Sequence, residues 1–300
     1  MDIAFEVIAE GLAFPEGPVA LQDGSVLFVE ILGGTLKRAW GDGRVEVIAN
    51  LGGGPNGAQM GPDGAVYICN NGGLDLERMC HASGPGAKGR IERVDLTTGK
   101  ADRLYESCGD FPLNAPNDLV FDAQGGLWFT DMGKNLPRRS DRSGLYYCQP
   151  DGSGIMEAHF GGLSYNGIGL SRDEKTLFVA DTHSARLWRF ELDAPGRLAE
   201  SSVRSSGRRV YVATAPGDVM LDSLALTKSG KVCVGTLGNG GITVFDVDGS
   251  SEHLALPDHT VTNIAFGGAD MRTAYITLAG TGRLIRCRWP EPGLELNFSR

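Results

Sequence analysis

Read as a string of apolar and polar positions, the chain repeats one phrase six times. A polar residue opens the phrase, a short apolar run follows, a tight turn interrupts, and a second apolar run closes on another polar residue. The copies are EGPVALQDGSVLFVE from Glu16, NGAQMGPDGAVYICN from Asn56, NDLVFDAQGGLWFTD from Asn117, NGIGLSRDEKTLFVAD from Asn166, DSLALTKSGKVCVGT from Asp222 and TNIAFGGADMRTAYIT from Thr262. Each holds two runs rich in Val, Leu, Ile, Phe and Tyr. A turn such as Asp23-Gly24, Asp63-Gly64 or Ser229-Gly230 joins the two runs, which predicts a β-hairpin.

The opening residues recur at steps of 40, 61, 49, 56 and 40. Such steps leave room for four strands per unit, and propeller blades run to roughly 40–50 residues. A second hairpin is legible in each unit, for example in GTLKRAWGDGRVEVIA and GGITVFDVDGSSEHLAL. The pattern predicts an all-β chain, a six-bladed β-propeller forming one domain over residues 1–300. The run AFEVIAEGL at the start is placed to close the ring beside Arg283 to Trp289. The longer stretches Leu74 to Gly89, Gly133 to Ser143 and Asp193 to Arg209 read as loops on the propeller faces, the first two shaping the pocket entrance.

In a propeller the first strand of each blade lines the central channel, so the six opening positions form a ring: Glu16, Asn56, Asn117, Asn166, Asp222 and Thr262. Every member offers oxygen, and none offers sulfur or imidazole. Polar groups crowded into a partly desolvated channel are costly unless something satisfies them. A divalent cation would do so, and an all-oxygen donor set suits Ca²⁺ first, with Mg²⁺ or Mn²⁺ as alternatives and Zn²⁺ less well served. A single Asn before a Gly is ordinarily turn chemistry. The recurrence of oxygen donors around the ring is what favours a metal.

Composition trims the alternatives. A net charge of −9 argues against nucleic acid, which needs a basic footprint. No apolar stretch approaches a membrane span. The first residues lack a basic region and a long apolar one, so no secretion signal is expected and the cytoplasm is the expected location. The six cysteines are scattered without a CxxC pair and read as small buried apolar groups. The five histidines show no ligand spacing, although His183 in VADTHSAR could face the channel mouth. Glu30, Asn70, Asp131, Asp181 and Thr277, which end the second runs, read as structural hydrogen-bonding positions.

The segments FPEGPVAL, APNDLVFDAQGGLWFTD, YNGIGLSRDEKTLFVADT and LDSLALTKSGKVCVGT resemble the gluconolactonase, regucalcin and senescence marker protein family along essentially the whole chain. The resemblance implies a six-bladed propeller with one divalent cation, typically Ca²⁺ or Zn²⁺, and hydrolysis of small lactones. It places the metal ligands on Glu16, Asn166 and Asp222, puts Asn117 beside the metal, and gives Asp222 the role of general base. Family members that act on sugar lactones carry an Arg where this chain has Ala115, and Asn56 adds an amide, so a less hydroxylated substrate is expected, with Asn56 and Asn117 contacting it.

A carboxylate held on a cation is a weak base. Either Asp222 keeps one oxygen free for the water, or the base is a hydroxide on the cation. Asp118 is a further candidate, although strand alternation should turn it to the opposite face. A non-catalytic binding propeller, a phosphotriesterase-like hydrolase and a lyase on the same ion are the alternative readings.

Overall fold

In the computed structural model, residues 4–200 and 208–299 are described, and among them the regular elements are all strands. Twenty-four of these strands form six four-stranded antiparallel meanders. Blade 1 runs Pro15–Ala20, Val26–Glu30, Thr35–Ala39 and Val45–Asn50, and blades 2 to 5 repeat it. Their inner strands are Pro55–Met60, Pro116–Phe121, Tyr165–Leu170 and Met220–Leu226. Blade 6 takes Val261–Gly267, Thr273–Leu278 and Arg283–Arg288 from the end of the chain and Phe5–Ala9 from its start, with Phe5 opposite Cys287. The ring is thus fastened by pairing one terminus with the other. Inner strands of neighbouring blades touch all the way round.

The second runs of each phrase read as continuously apolar because each blade is buried on both faces. Successive side chains on a strand point to opposite faces. In blade 3, Leu127 and Phe129 accordingly pack against blade 2 while Trp128 packs against blade 4. Six apolar clusters result, one between each pair of neighbouring blades. Fully burying one such side chain contributes roughly 1.5–3 kcal/mol. The turns are locked by their acids: Asp63 Oδ1 accepts the Ala65 N–H at 3.2 Å, and Asp122 Oδ1 accepts those of Gln124 and Gly126 at 3.0 and 2.9 Å.

Two of the predicted face loops contain short hairpins, Leu74–Asp75 with Cys80–His81 and Asn135–Leu136 with Arg139–Ser140. The third expectation, Asp193 to Arg209, is partly replaced by strand: Arg186–Ala194 extends past the blade and pairs with Arg197–Leu198, while residues 201–207 lie outside the described residues. After the last blade the chain crosses beneath the channel. The Leu294 N–H donates to the Leu226 carbonyl at 2.8 Å and the Lys228 N–H to that of Pro292 at 2.8 Å, so the tail adds to blade 5. Leu294 and Leu296 line the other end of the channel, around a cavity of about 60 Å³ that Asp118 and Asn263 also line.

Candidate metal centre and its mouth

Each inner strand carries a register shift just after its opening polar residue, between Glu16 and Val19, Pro55 and Ala58, Pro116 and Leu119, Tyr165 and Ile168, Leu221 and Leu224, and Val261 and Asn263. Such bulges re-aim side chains and concentrate next to functional sites. Two consecutive residues per blade are thereby available to the channel, not one. The second position is Gly17, Gly57, Asp118, Gly167, Ser223 and Asn263. Glycine is demanded where neighbouring strands crowd. A Cβ at Gly57 would stand 2.6 Å from the Asn117 carbonyl oxygen, and one at Gly167 2.8 Å from that of Asp222.

Glu16, Asn56, Asn117, Asn166 and Asp222 are each less than a tenth exposed. Glu16 Oε2 accepts the Gly17 N–H at 2.7 Å and Asn263 Nδ2 at 2.8 Å. Asn166 donates from Nδ2 to Thr182 Oγ1 at 3.1 Å. Burial first, then the charges of Asp222 and Asp118, hold the Glu16 carboxyl well above the usual range, against the two hydrogen bonds it accepts. Asp222 is raised to about 7, by burial and then by Asp118, with hydrogen bonds from Asn166 and the Ser223 N–H opposing. Burial likewise lifts Asp118 to about 7, against hydrogen bonds that include the Leu119 N–H at 2.9 Å. These three carboxyls therefore share one electrostatic field.

Two sequence expectations need correction. Asp118 does not face away from the ring, because the bulge breaks the alternation on which that expectation rested. Thr262 is not the sixth donor: its hydroxyl is spent on the Pro15 carbonyl at 3.1 Å and the Thr277 hydroxyl at 2.8 Å, and Asn263 reaches Glu16 instead. The signal for both was present in the second letter of the phrase, which is Gly, Ser or a channel-facing polar residue.

The ring's amides are unevenly satisfied. Asn117 Nδ2 meets Met132 Sδ at 3.9 Å, while Asn117 Oδ1 and Asn56 Oδ1 are buried without a hydrogen-bond partner. An unsatisfied buried acceptor costs roughly 1–3 kcal/mol. Orphaned amide oxygens beside mutually repelling carboxylates fit a hard cation, which would neutralise the acids and accept the lone pairs. Among the described residues no three His, Cys, Asp or Glu side chains form a metal cluster by themselves, so the amides are integral to any such donor set.

The chain segments that follow the second strands of blades 2, 3 and 4 come close to one another. The terminal residues of the second strands are structural, as the sequence suggests. Glu30 accepts the Ala13 N–H at 2.9 Å, Asn70 that of Gly54 at 2.9 Å, Asp131 those of Asn114 and Ala115 at 2.7 and 2.8 Å, and Asp181 the Ser164 hydroxyl at 2.8 Å. Beyond Asp131 comes Lys134, whose Nζ donates to the Asn71 carbonyl at 2.7 Å. Burial lowers its pKa to about 8. His81 Nδ1 accepts the Asn135 N–H at 3.0 Å, and burial, reinforced by the Lys134 charge, pushes that imidazole down to about 4. His183 is exposed near this group. Wider depressions, such as the one of about 450 Å³ between Val120, Arg172, Met271 and Leu294, hold none of the ring residues.

The model of the SMP-30/Gluconolactonase/LRE-like region matches residues 14–280. A gluconolactonase of Zymomonas mobilis is 27% identical over 289 residues, covering 87% of this chain and 75% of that protein. The structure of a Xanthomonas campestris gluconolactonase superposes with a TM-score of 0.75 at 25% identity, over 95% of this chain and 89% of the other. A calcium-binding regucalcin of Agrobacterium tumefaciens gives a TM-score of 0.78 at 20% identity, over 100% and 98% of the two chains, a likeness of fold.

Proposed function

We take as premise that the chain belongs to the SMP-30/gluconolactonase/LRE-like family, and we propose that it is a metal-dependent lactonase. The observation that carries the metal is the pair of orphaned oxygens on Asn56 and Asn117 opposite the carboxyls of Glu16 and Asp222. Glu16, Asn117, Asn166 and Asp222 would hold one divalent cation, calcium by the chemistry of the donors. When bound, that ion supplies Lewis acidity toward the ring carbonyl and lowers the pKa of water.

The chain's own residues do the rest. Asn56 and the Asn117 amide orient the lactone over the ring. Asp222 receives the proton as the water oxygen bonds to the carbonyl carbon. The ring carbon–oxygen bond then breaks, and the departing alkoxide takes up a proton to give the open hydroxy acid. Asn166 and the Ser223 N–H keep Asp222 oriented through the hydrogen bonds that oppose its protonation. The tail at Leu294 and Leu296 limits water reaching the ring from below.

The test is turnover of a lactone panel by chelator-treated protein before and after calcium is restored. Chelator-sensitive hydrolysis of a ring ester that disappears in Asp222→Asn is the expected result. Absence of calcium-restored turnover on every lactone would favour a non-catalytic propeller.

A further inference from the structure

Lys134 is 9% exposed, yet among the described residues no carboxylate lies within ion-pair distance of its Nζ. The nearby acids are engaged elsewhere. Asp131 accepts the N–H groups of Asn114, Ala115 and Gly133, and Asp141 accepts the Lys134 backbone N–H at 3.3 Å while facing Arg139 Nε at 3.5 Å. One of the three ammonium protons is placed, on the Asn71 carbonyl. Asp131 and Asp141 act on the ammonium only through space, and burying an ammonium without a direct ion-pair partner is costly, a cost reduced when an anion arrives.

The position of this amine is specific. Asn71 is joined to the entry of blade 2, its N–H donating to the Gly54 carbonyl at 2.8 Å, two residues before Asn56. Met132, two residues before Lys134, touches Asn117. The charge therefore stands by the entries of blades 2 and 3, whose ring residues are the unpaired amides of Asn56 and Asn117 and the carboxyl of Asp118. The acids Glu16 and Asp222 come from blades 1 and 5. A molecule laid across the mouth meets the amides of Asn56 and Asn117 with the Lys134 ammonium beside them.

We propose that Lys134 is a specificity-determining residue that selects lactones bearing a carboxylate on the ring. The carboxylate accepts the two remaining N–H donors while the ring ester lies over the amides. Neutral lactones leave the two remaining N–H donors without an anionic acceptor. The proposal rests on the lactonase reading for the reaction, and on the placement of Lys134 for the selection.

The experiment compares γ-valerolactone with its analogue in which a carboxylate replaces the methyl group, using the calcium-loaded protein. The wild-type chain is expected to favour the carboxylate form in kcat/KM by about tenfold to a hundredfold, the scale of a hydrogen bond to a charged group. In Lys134→Met that ratio is expected to fall to about one, and in Lys134→Arg to remain above it. A wild-type ratio near one, or a ratio unchanged in Lys134→Met, overturns the proposal. If Lys134→Met does not fold, the wild-type ratio and Lys134→Arg decide.

Should neither lactone be hydrolysed, the lactonase reading is decided separately by the full lactone panel. Calorimetric binding of the ring-opened dicarboxylate against its monocarboxylate counterpart then decides the role of Lys134. Tighter dicarboxylate binding that vanishes in Lys134→Met sustains it, and equal binding overturns it.

Discussion

The two ends of the central channel are built by the same six strands and obey opposite rules. At the upper end, bulges present carboxyls and amides that repel one another or lack partners. At the lower end, beyond the bulges, strand alternation resumes and Ile168, Leu224 and Ile264 meet Leu294 and Leu296 of the tail. One end is completed by packing within the chain, while the other is left electrostatically incomplete. The contrast teaches that the strain is local. It begins at the register shift and stops within two residues of it.

The largest test of this comparison is to neutralise the upper end. Glu16→Gln is expected to lower calcium affinity and lactone turnover by on the order of a hundredfold or more. The same change should leave the melting temperature of the calcium-free protein equal or higher, because it removes a buried charge that its neighbours repel. A calcium-free protein markedly destabilised by Glu16→Gln would mean that the carboxylate serves packing, and the contrast would fail.

A comparable loss of a different kind is expected from the core that holds both ends in place. Trp128 is fully buried between blades 3 and 4, and Trp128→Ala should cost about 3–5 kcal/mol in denaturant titration. A cost below about 1 kcal/mol would show that the blades do not depend on this inter-blade packing.

The pH response sharpens the comparison further. The folded pKa of Asp118 and of Asp222 is raised to about 7 from an ordinary value near 4. Between those values the folded state holds protons that the unfolded state releases. Their contribution to stability is therefore complete below about 4 and is lost as the pH climbs to about 7. Calcium-free protein should melt at falling temperature across that window, and saturating calcium should flatten the slope. Melting curves at fixed ionic strength check this, and a calcium-free slope of the opposite sign would refute the assigned cause.

The smallest effect belongs to the lower end. Leu294 is half-buried, and Leu294→Ala should cost on the order of 1 kcal/mol while leaving lactone kcat/KM within about twofold. A large loss of turnover from this change would mean that the two ends are coupled and that the tail acts on the site.

Much of this was legible in the chain. The short continuous apolar runs in VLFVE and LWFTD and the Asp-Gly turns specify blades, since strand-length apolar runs and turn chemistry act through neighbouring residues. The recurrence of the phrase placed Glu16, Asn56, Asn117, Asn166 and Asp222 in one ring because repetition places equivalent residues equivalently about an axis. Asp118 departs from the expectation because alternation presumes an unbroken ladder, and a bulge is a property of two paired strands, while Thr262 departs because repetition presumes equivalent blades and its hydroxyl is taken up by Pro15 and Thr277. Lys134 was invisible for a related reason: its burial depends on Asn71, which lies sixty-three residues away in sequence.

The sequence by itself determined the strands, their number per blade, the count of blades and the oxygen character of the ring, because these follow from local periodicity and from repetition. The tertiary structure alone decided which second-position residues join the ring, which amide oxygens stay unpaired and where the buried Lys134 ammonium stands. Those features depend on distances between segments far apart in the chain, and they appear only when the ring closes.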